Sequence, residues 1–180
     1  TSLEVAREMG ITAYGLDLMD GFNALRQSIY RAVGTLADFV LSHPPYGDMI
    51  VYSGEVWGDK PVAGDLSRLP QEAFLEALQT LLLNQRNATK VGGYYCTLLG
   101  DLRRKGSYTS FQADAIQGMP KDELIAVLIK TQHNVLSSRT RYTGMNLPRI
   151  EHEYILVWQK RDRSGLSLVK ALVEQSQKHI

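Results

Sequence analysis

A chain of 180 residues, 44% hydrophobic and 22% charged, is long enough for one domain with a sizeable core, which excludes a disordered or fibrous polypeptide. Its formal net charge of +1 excludes a globally basic nucleic-acid binder, so any such surface must come from local clusters. No apolar run approaches the ~20 residues of a membrane helix and no signal-peptide pattern opens the chain; the single Cys96 has no internal disulfide partner, as expected in a reducing cytoplasm.

In chain order, Thr1 to Met9 is predicted to be a helix, with Leu3, Val5, Ala6 and Met9 as its apolar stripe and Gly10 as its stop. "ITAYGLDL" reads as a short buried strand ending near Asp17. Asn23 to Val33 reads as a helix, because Leu25, Ile29 and Val33 recur every four residues. A strand from Asp38 to Ser42 then runs into "SHPPY". From Tyr46 to Pro70 the chain is rich in Gly, Asp, Ser and Pro, which predicts a long loop, and loops longer than ~15 residues are usually functional or disordered.

A strong helix is predicted from Pro70 to Arg86, with Phe74, Leu75, Leu78, Leu81 and Leu82 on one face. "VGGYYCTLLGD" is the next strand, where Cys96 reads as a small core residue. "TSFQADAIQGM" reads as a short helix, Leu124 to Lys130 and "HEYILVWQK" as further strands, and Leu166 to Lys178 as a closing amphipathic helix. No internal repeat or low-complexity segment interrupts the pattern. Strands alternating with helices predict α/β layers around a largely parallel sheet, whose ligands bind beyond the carboxyl ends of the strands. Those ends carry Asp17, the Ser42 to Tyr46 turn, Gly100-Asp101 and Lys130 to Asn134, which should therefore converge on one edge.

Pro44 and Pro45 have fixed φ and no N–H, so neither can extend a central ladder, while their carbonyls can still accept hydrogen bonds. Two readings follow from the residues alone. One is a stiff backbone presenting acceptors to a planar ligand with an NH2 group, which then stacks on Tyr46. The other is a Pro-rich turn that ends a strand, with Tyr46 packed on the core.

The stretch "DFVLSHPPYGDMIVYSG" resembles the catalytic motif of the amino-methyltransferases that methylate exocyclic nitrogens of adenine or cytosine in DNA, usually Asp/Asn/Ser-Pro-Pro-Tyr after an apolar strand. "GGYYCTLLGDLRRKGSY", "IKTQHN" and "IEHEYILVWQK" are similar to the strands that follow it in that family. "TSLEVAREMGITAYGLDL" is similar to the helix after the glycine-rich cofactor loop and the strand beyond it. The ordered likeness covers about residues 1 to 160 and extends to a branch whose motif is His-Pro-Pro-Tyr.

The resemblance implies a Rossmann-like fold dependent on S-adenosylmethionine, built as one catalytic domain over residues 1–180 with no separate target-recognition domain. It implies that Asp17 holds the cofactor ribose, with Thr1, Ser2 and Ser42 also beside the cofactor. A base flipped out of DNA would stack on Tyr46 and donate its amine hydrogens to the Pro44 carbonyl and to His43, with Pro45 stiffening the turn. The acceptor at position 43 must be a neutral imidazole, because imidazolium accepts no hydrogen bond. Arg103, Arg104 and Lys105, with Arg139 and Arg141, are the expected phosphate contacts.

In the family a first strand and glycine-rich loop precede "TSLEVAREMG", so a missing segment or a second chain is expected to complete the cofactor site. The same chemistry on RNA, and a non-catalytic subunit completed by a partner, are the alternative functions. No metal is expected: in Glu151-His152-Glu153 the side chains of a strand alternate, so His152 points away from both carboxylates. No Gly-x-Ser-x-Gly or P-loop signature is present, which disfavours hydrolase and NTPase readings.

Overall fold

The computed structural model describes residues 2–132 and 147–162. The elements are α1 (Ser2–Glu8), α2 (Ile29–Val33), β1 (Ala37–Ser42), α3 (Gln71–Ala88), β2 (Thr89–Leu99), β3 (Leu102–Arg104), β4 (Ser107–Thr109), α4 (Phe111–Gly118), β5 (Leu124–Thr131) and β6 (His152–Gln159). A 3-10 turn at Leu66–Arg68 precedes α3. The closing helix expected from Leu166 onward lies outside the described residues.

The main sheet has the order β1-β2-β6-β5. β1 and β2 pair in parallel, and β6 is antiparallel to both of its neighbours. Consequently β1, β2 and β5 all run in one direction, with β6 inserted against them. The expectation of a largely parallel sheet holds for strand direction, but the ladders are mixed, because β6 separates β5 from the parallel pair.

α3 forms the crossover between β1 and β2 that a parallel pair requires. Its apolar positions recur at helical spacing, and Phe74, Leu78 and Leu82 are almost fully buried against Tyr95, Leu99, Leu156 and Trp158 of the sheet. Each such side chain contributes about 1.5–3 kcal/mol by leaving water. Tyr95 and Trp158 stack nearly parallel with centroids 5.4 Å apart. Gln85, buried on the same helix, donates to the Cys96 carbonyl and accepts from the Thr97 hydroxyl, which fixes α3 along β2.

α3 also organises the segment before β1. Asn84 donates to the carbonyls of Ala24 and Gln27 and accepts from the Ile29 amide. The expected helix from Asn23 is shorter than its periodicity suggests: residues 24–27 form turns, and Ser28 caps a helix of only five residues. Cap chemistry overrides the four-residue spacing here.

"ITAYGLDL" is a clearer correction. Residues 11–17 form no strand and are exposed. A strand exists only through its ladder, and this segment has no pairing neighbour among the described residues.

The long loop after β1 is not loosely held. Buried Asp65 accepts from the amides and hydroxyls of both Ser53 and Ser67, and Arg68 donates to the Ser53 carbonyl. Burial alone raises the pKa of the Asp65 carboxyl, but these hydrogen bonds from Ser53 and Ser67 outweigh it and hold the group below its usual range.

Candidate active site

The strand ends converge as the direction of β1, β2 and β5 requires, and the amino end of antiparallel β6 joins them. His43, Pro44, Pro45 and Tyr46 leave β1 at this edge, Gly100-Asp101 leaves β2, Lys130 lies near the end of β5, and Glu153 near the start of β6. Asp17, expected in the same group, lies in an exposed turn after a segment that forms no strand, and its Oδ1 accepts from the Met19 amide at 2.8 Å.

Tyr46 is half-buried and packs against the core cluster, while its hydroxyl lies at the strand edge. The ring passes directly over Gly100: a Cβ placed there would sit 2.6 Å from a ring carbon. Only glycine lets the ring lie this close to the end of β2. The Tyr46 hydroxyl donates to Glu153 Oε1 at 2.6 Å, and His43 Nε2 lies 2.7 Å from that hydroxyl oxygen. The two rings are tilted by 45° with centroids 5.6 Å apart. Lys130 Nζ pairs with the other carboxylate oxygen of Glu153. A continuous chain Lys130–Glu153–Tyr46–His43 thus crosses from β5 through β6 to the end of β1.

The charges along this chain are settled by their surroundings. Burial raises the Glu153 carboxyl, but the bonds from Lys130, Tyr46 and Gln132 outweigh it and hold the pKa below the ordinary range, so the group is a carboxylate. Burial, reinforced by that carboxylate, raises the Tyr46 phenol, which keeps its proton. Partial burial lowers the His43 pKa below 6.5; the Glu153 charge opposes this and the Lys130 charge adds to it. His43 is therefore predominantly neutral at pH 7.

The other expected site residues are distributed differently. The Ser42 hydroxyl lies 3.2 Å from Thr97 Oγ1, and because Thr97 donates to Gln85, Ser42 donates to Thr97. Arg103 donates to the Pro148 carbonyl and lies 5.4 Å from the Tyr108 ring centre. Arg104 forms a two-pronged pair with Asp48, each bond 2.6 Å, which ties the chain after Tyr46 to the β3–β4 hairpin. Lys105, with φ 49°, and Gly106, with φ 83°, form the exposed tip of that hairpin, the geometry of a tight two-residue turn. Of the basic trio, Lys105 alone is at the tip; the two arginines have internal partners. Ser2 begins α1, while Thr1, Arg139 and Arg141, with His133 and Asn134, lie outside the described residues.

Sequence reasoning missed the role of Glu153. It had a signal: a carboxylate inside an otherwise apolar strand, at a position that is 5% exposed. His152, on the opposite side of β6, contacts Tyr154, as strand alternation predicts. No cluster of potential metal ligands occurs among the described residues. No described helix is long and apolar enough to cross a membrane.

No family model matches the chain, and no curated protein matches it in sequence. Similarity to solved structures is found in the fold. A candidate DNA modification methylase of Thermus thermophilus superposes with a TM-score of 0.50 at 19% identity, over 78% of this chain and 52% of that one. The same Thermus protein complexed with S-adenosyl-L-methionine gives a TM-score of 0.49 at 20% identity, over 78% and 54%. TrmN of Thermus thermophilus gives 0.44 at 16% identity, over 87% and 31%. The chain spans about half the length of the Thermus methylase, and what it shares with the protein that superposes at 0.50 is an α/β, Rossmann-like methyltransferase fold.

Proposed function

We propose that this chain is the catalytic domain of an S-adenosylmethionine-dependent methyltransferase acting on the exocyclic amine of adenine or cytosine in DNA. The observation that carries the reading is the placement of His43 and the rigid Pro44-Pro45 turn directly after β1, at the carboxyl edge of the sheet, where burial favours the neutral imidazole. Two acceptors, the Pro44 carbonyl and an imidazole nitrogen, suit the two hydrogens of a base amine. Accepting both draws the nitrogen toward tetrahedral geometry and frees its lone pair. The Pro-Pro backbone fixes one acceptor without reorganisation, so its contribution is preorganised.

The donor set fits the cofactor in part. Asp17 is an exposed carboxylate with one oxygen bonded to its own turn, and a carboxylate has further acceptor capacity for ribose hydroxyls. Ser42 commits its hydroxyl proton to Thr97, which leaves its oxygen only acceptor capacity toward the cofactor. When bound, the cofactor supplies an electrophilic sulfonium methyl. No cysteine nucleophile is needed, and Cys96 is poorly suited to be one, because burial pushes its thiol up to about 11. Lys105, at the hairpin tip, would contact phosphate, with Arg139 and Arg141.

The supporting experiment is transfer of labelled methyl from S-adenosylmethionine to duplex DNA, with the modified nucleoside identified by mass spectrometry. N6-methyladenine or N4-methylcytosine, lost in His43→Ala, supports the proposal. Transfer to RNA only would move the substrate to RNA, and transfer to neither, despite cofactor binding, would overturn it.

A second reading, that the domain works only when completed by another polypeptide, is favoured by β1. It is an edge strand among the described residues, and its Phe39 and Leu41 are exposed. Calorimetric titration with S-adenosylmethionine separates the two: binding by the chain alone would refute this second reading.

A further inference from the structure

We propose that Glu153, anchored by Lys130, is a positioning residue that fixes the tautomer of His43 through the Tyr46 hydroxyl, so that Nδ1 is the nitrogen offered to a base amine. The clause about the amine rests on the proposed function; the tautomer does not.

The protons along the chain can be counted. Glu153 is an ionised, buried carboxylate, so it can only accept. Lys130 can only donate, and it uses Oε2. Oε1 is left to accept from Tyr46, whose hydroxyl has a single proton. With that proton committed, the Tyr46 oxygen can only accept along its contact with His43 Nε2. The neutral imidazole therefore carries its proton on Nε2 and its lone pair on Nδ1. Among the described residues, the charged and titratable groups facing this ring are Tyr46, Glu153 and Lys130, and together they dictate one direction for the chain. A carboxylate that holds an imidazole in its working tautomer is worth up to about 10⁴ in rate where such a group has been removed.

Glu153→Gln reverses the chain at almost constant volume. Lys130 can accept nothing, so the Gln carbonyl turns to Lys130 and its NH2 group faces Tyr46. The Tyr46 proton then has to point at His43, and the imidazole proton moves to Nδ1. The test is long-range 1H–15N correlation on ¹⁵N-labelled protein without substrate, at a pH of about 7.5, the His43 signals being assigned by their loss in His43→Asn.

The expected result is an Nε2–H tautomer in the native protein and an Nδ1–H tautomer in Glu153→Gln. A native Nδ1–H tautomer, or a folded Glu153→Gln protein that keeps Nε2–H, would overturn the proposal. If Glu153→Gln does not fold, Tyr46→Phe decides: the unbonded Nε2 proton should exchange with solvent and its resonance vanish. A persistent resonance would refute the relay. Methyl transfer by the same variants reads the other layer. A fall of about tenfold or more in kcat for Glu153→Gln, with the KM for S-adenosylmethionine unchanged, supports both. A tautomer that reverses in a protein that binds S-adenosylmethionine but transfers methyl to neither DNA nor RNA sustains the relay and overturns the function.

Discussion

Gly100→Ala tests the geometry of the site with one methyl group. The added Cβ would lie 2.6, 2.8 and 3.1 Å from three atoms of the Tyr46 ring, whereas carbon atoms in contact rest about 3.5–4.0 Å apart. The ring must therefore retreat by about 1 Å. It cannot do so freely, because its hydroxyl is bonded at 2.6 Å to Glu153 and contacts His43 at 2.7 Å. A displacement of that size stretches both contacts beyond ordinary hydrogen-bond length. Overpacking costs about 1–3 kcal/mol, and weakening a bond to a buried carboxylate about 1.5–3 kcal/mol; the ring can relieve one cost by accepting the other, so a loss of about 1–3 kcal/mol is expected.

Urea unfolding followed by circular dichroism measures it, with an unchanged m value as the check that only stability moved. The control is a double-mutant cycle in a Tyr46→Ala background, where the methyl group has nothing to strike. There Gly100→Ala should cost no more than about 0.5 kcal/mol. An undiminished cost in that background would show that the penalty comes from the β2 backbone, and the reasoning about the ring would be wrong.

Other expectations concern groups near and far from this edge. Buried Glu123 accepts two bonds from Arg86 and one from Tyr95. Burial pushes its pKa up, but these bonds and the Arg161 amide bring it from 4.5 down to about 2. The folded value lies below the unfolded one, so the stabilisation is complete above about pH 4.5 and is lost as pH falls toward 2; it amounts to about 3 kcal/mol. Urea midpoints in that window should decline more steeply for the native protein than for Glu123→Gln, and parallel declines would count against the assignment. Cys96, buried with its thiol pushed up to about 11, should resist disulfide reagents in the native state and react on unfolding; rapid native labelling would contradict its burial. On the proposed function, methyl transfer should be flat at neutral and higher pH and fall on the acid side as His43 protonates, because burial lowers its pKa. His43→Asn, which keeps an acceptor, should flatten that acid limb, and an unaltered limb would assign it to another group.

Much of the fold was legible because its elements are strongly periodic. The 3.6-residue spacing of Phe74, Leu78 and Leu82 located α3 to within a few residues, and the apolar runs around Tyr95 and Leu156 located β2 and β6. "ITAYGLDL" has the same local appeal but forms no strand, because pairing depends on a neighbour rather than on composition. The β3–β4 hairpin escaped notice, since three-residue strands give too short a pattern and Lys105-Gly106 lacks the usual Asn-Gly turn signature. The motif His43 to Tyr46 could be read directly because its prolines constrain the backbone wherever they occur. Its electrostatic support could not: Tyr46 and Glu153 are 107 residues apart.

Strand order explains why that distant support arrives where it does. Had β6 run with its neighbours, Glu153, near its start, would lie at the far end of the sheet, close to the amino ends of β1 and β2. Running against them, it brings its first residues to the edge where the other strands finish, and Glu153 takes Lys130 as its register partner. One carboxylate then fills the gap between the ends of β2 and β5. On the proposed reading, the site combines a rigid acceptor backbone from β1 with a proton-fixing acid from β6. The reversed strand is what allows residues so far apart in sequence to share one hydrogen-bonded chain.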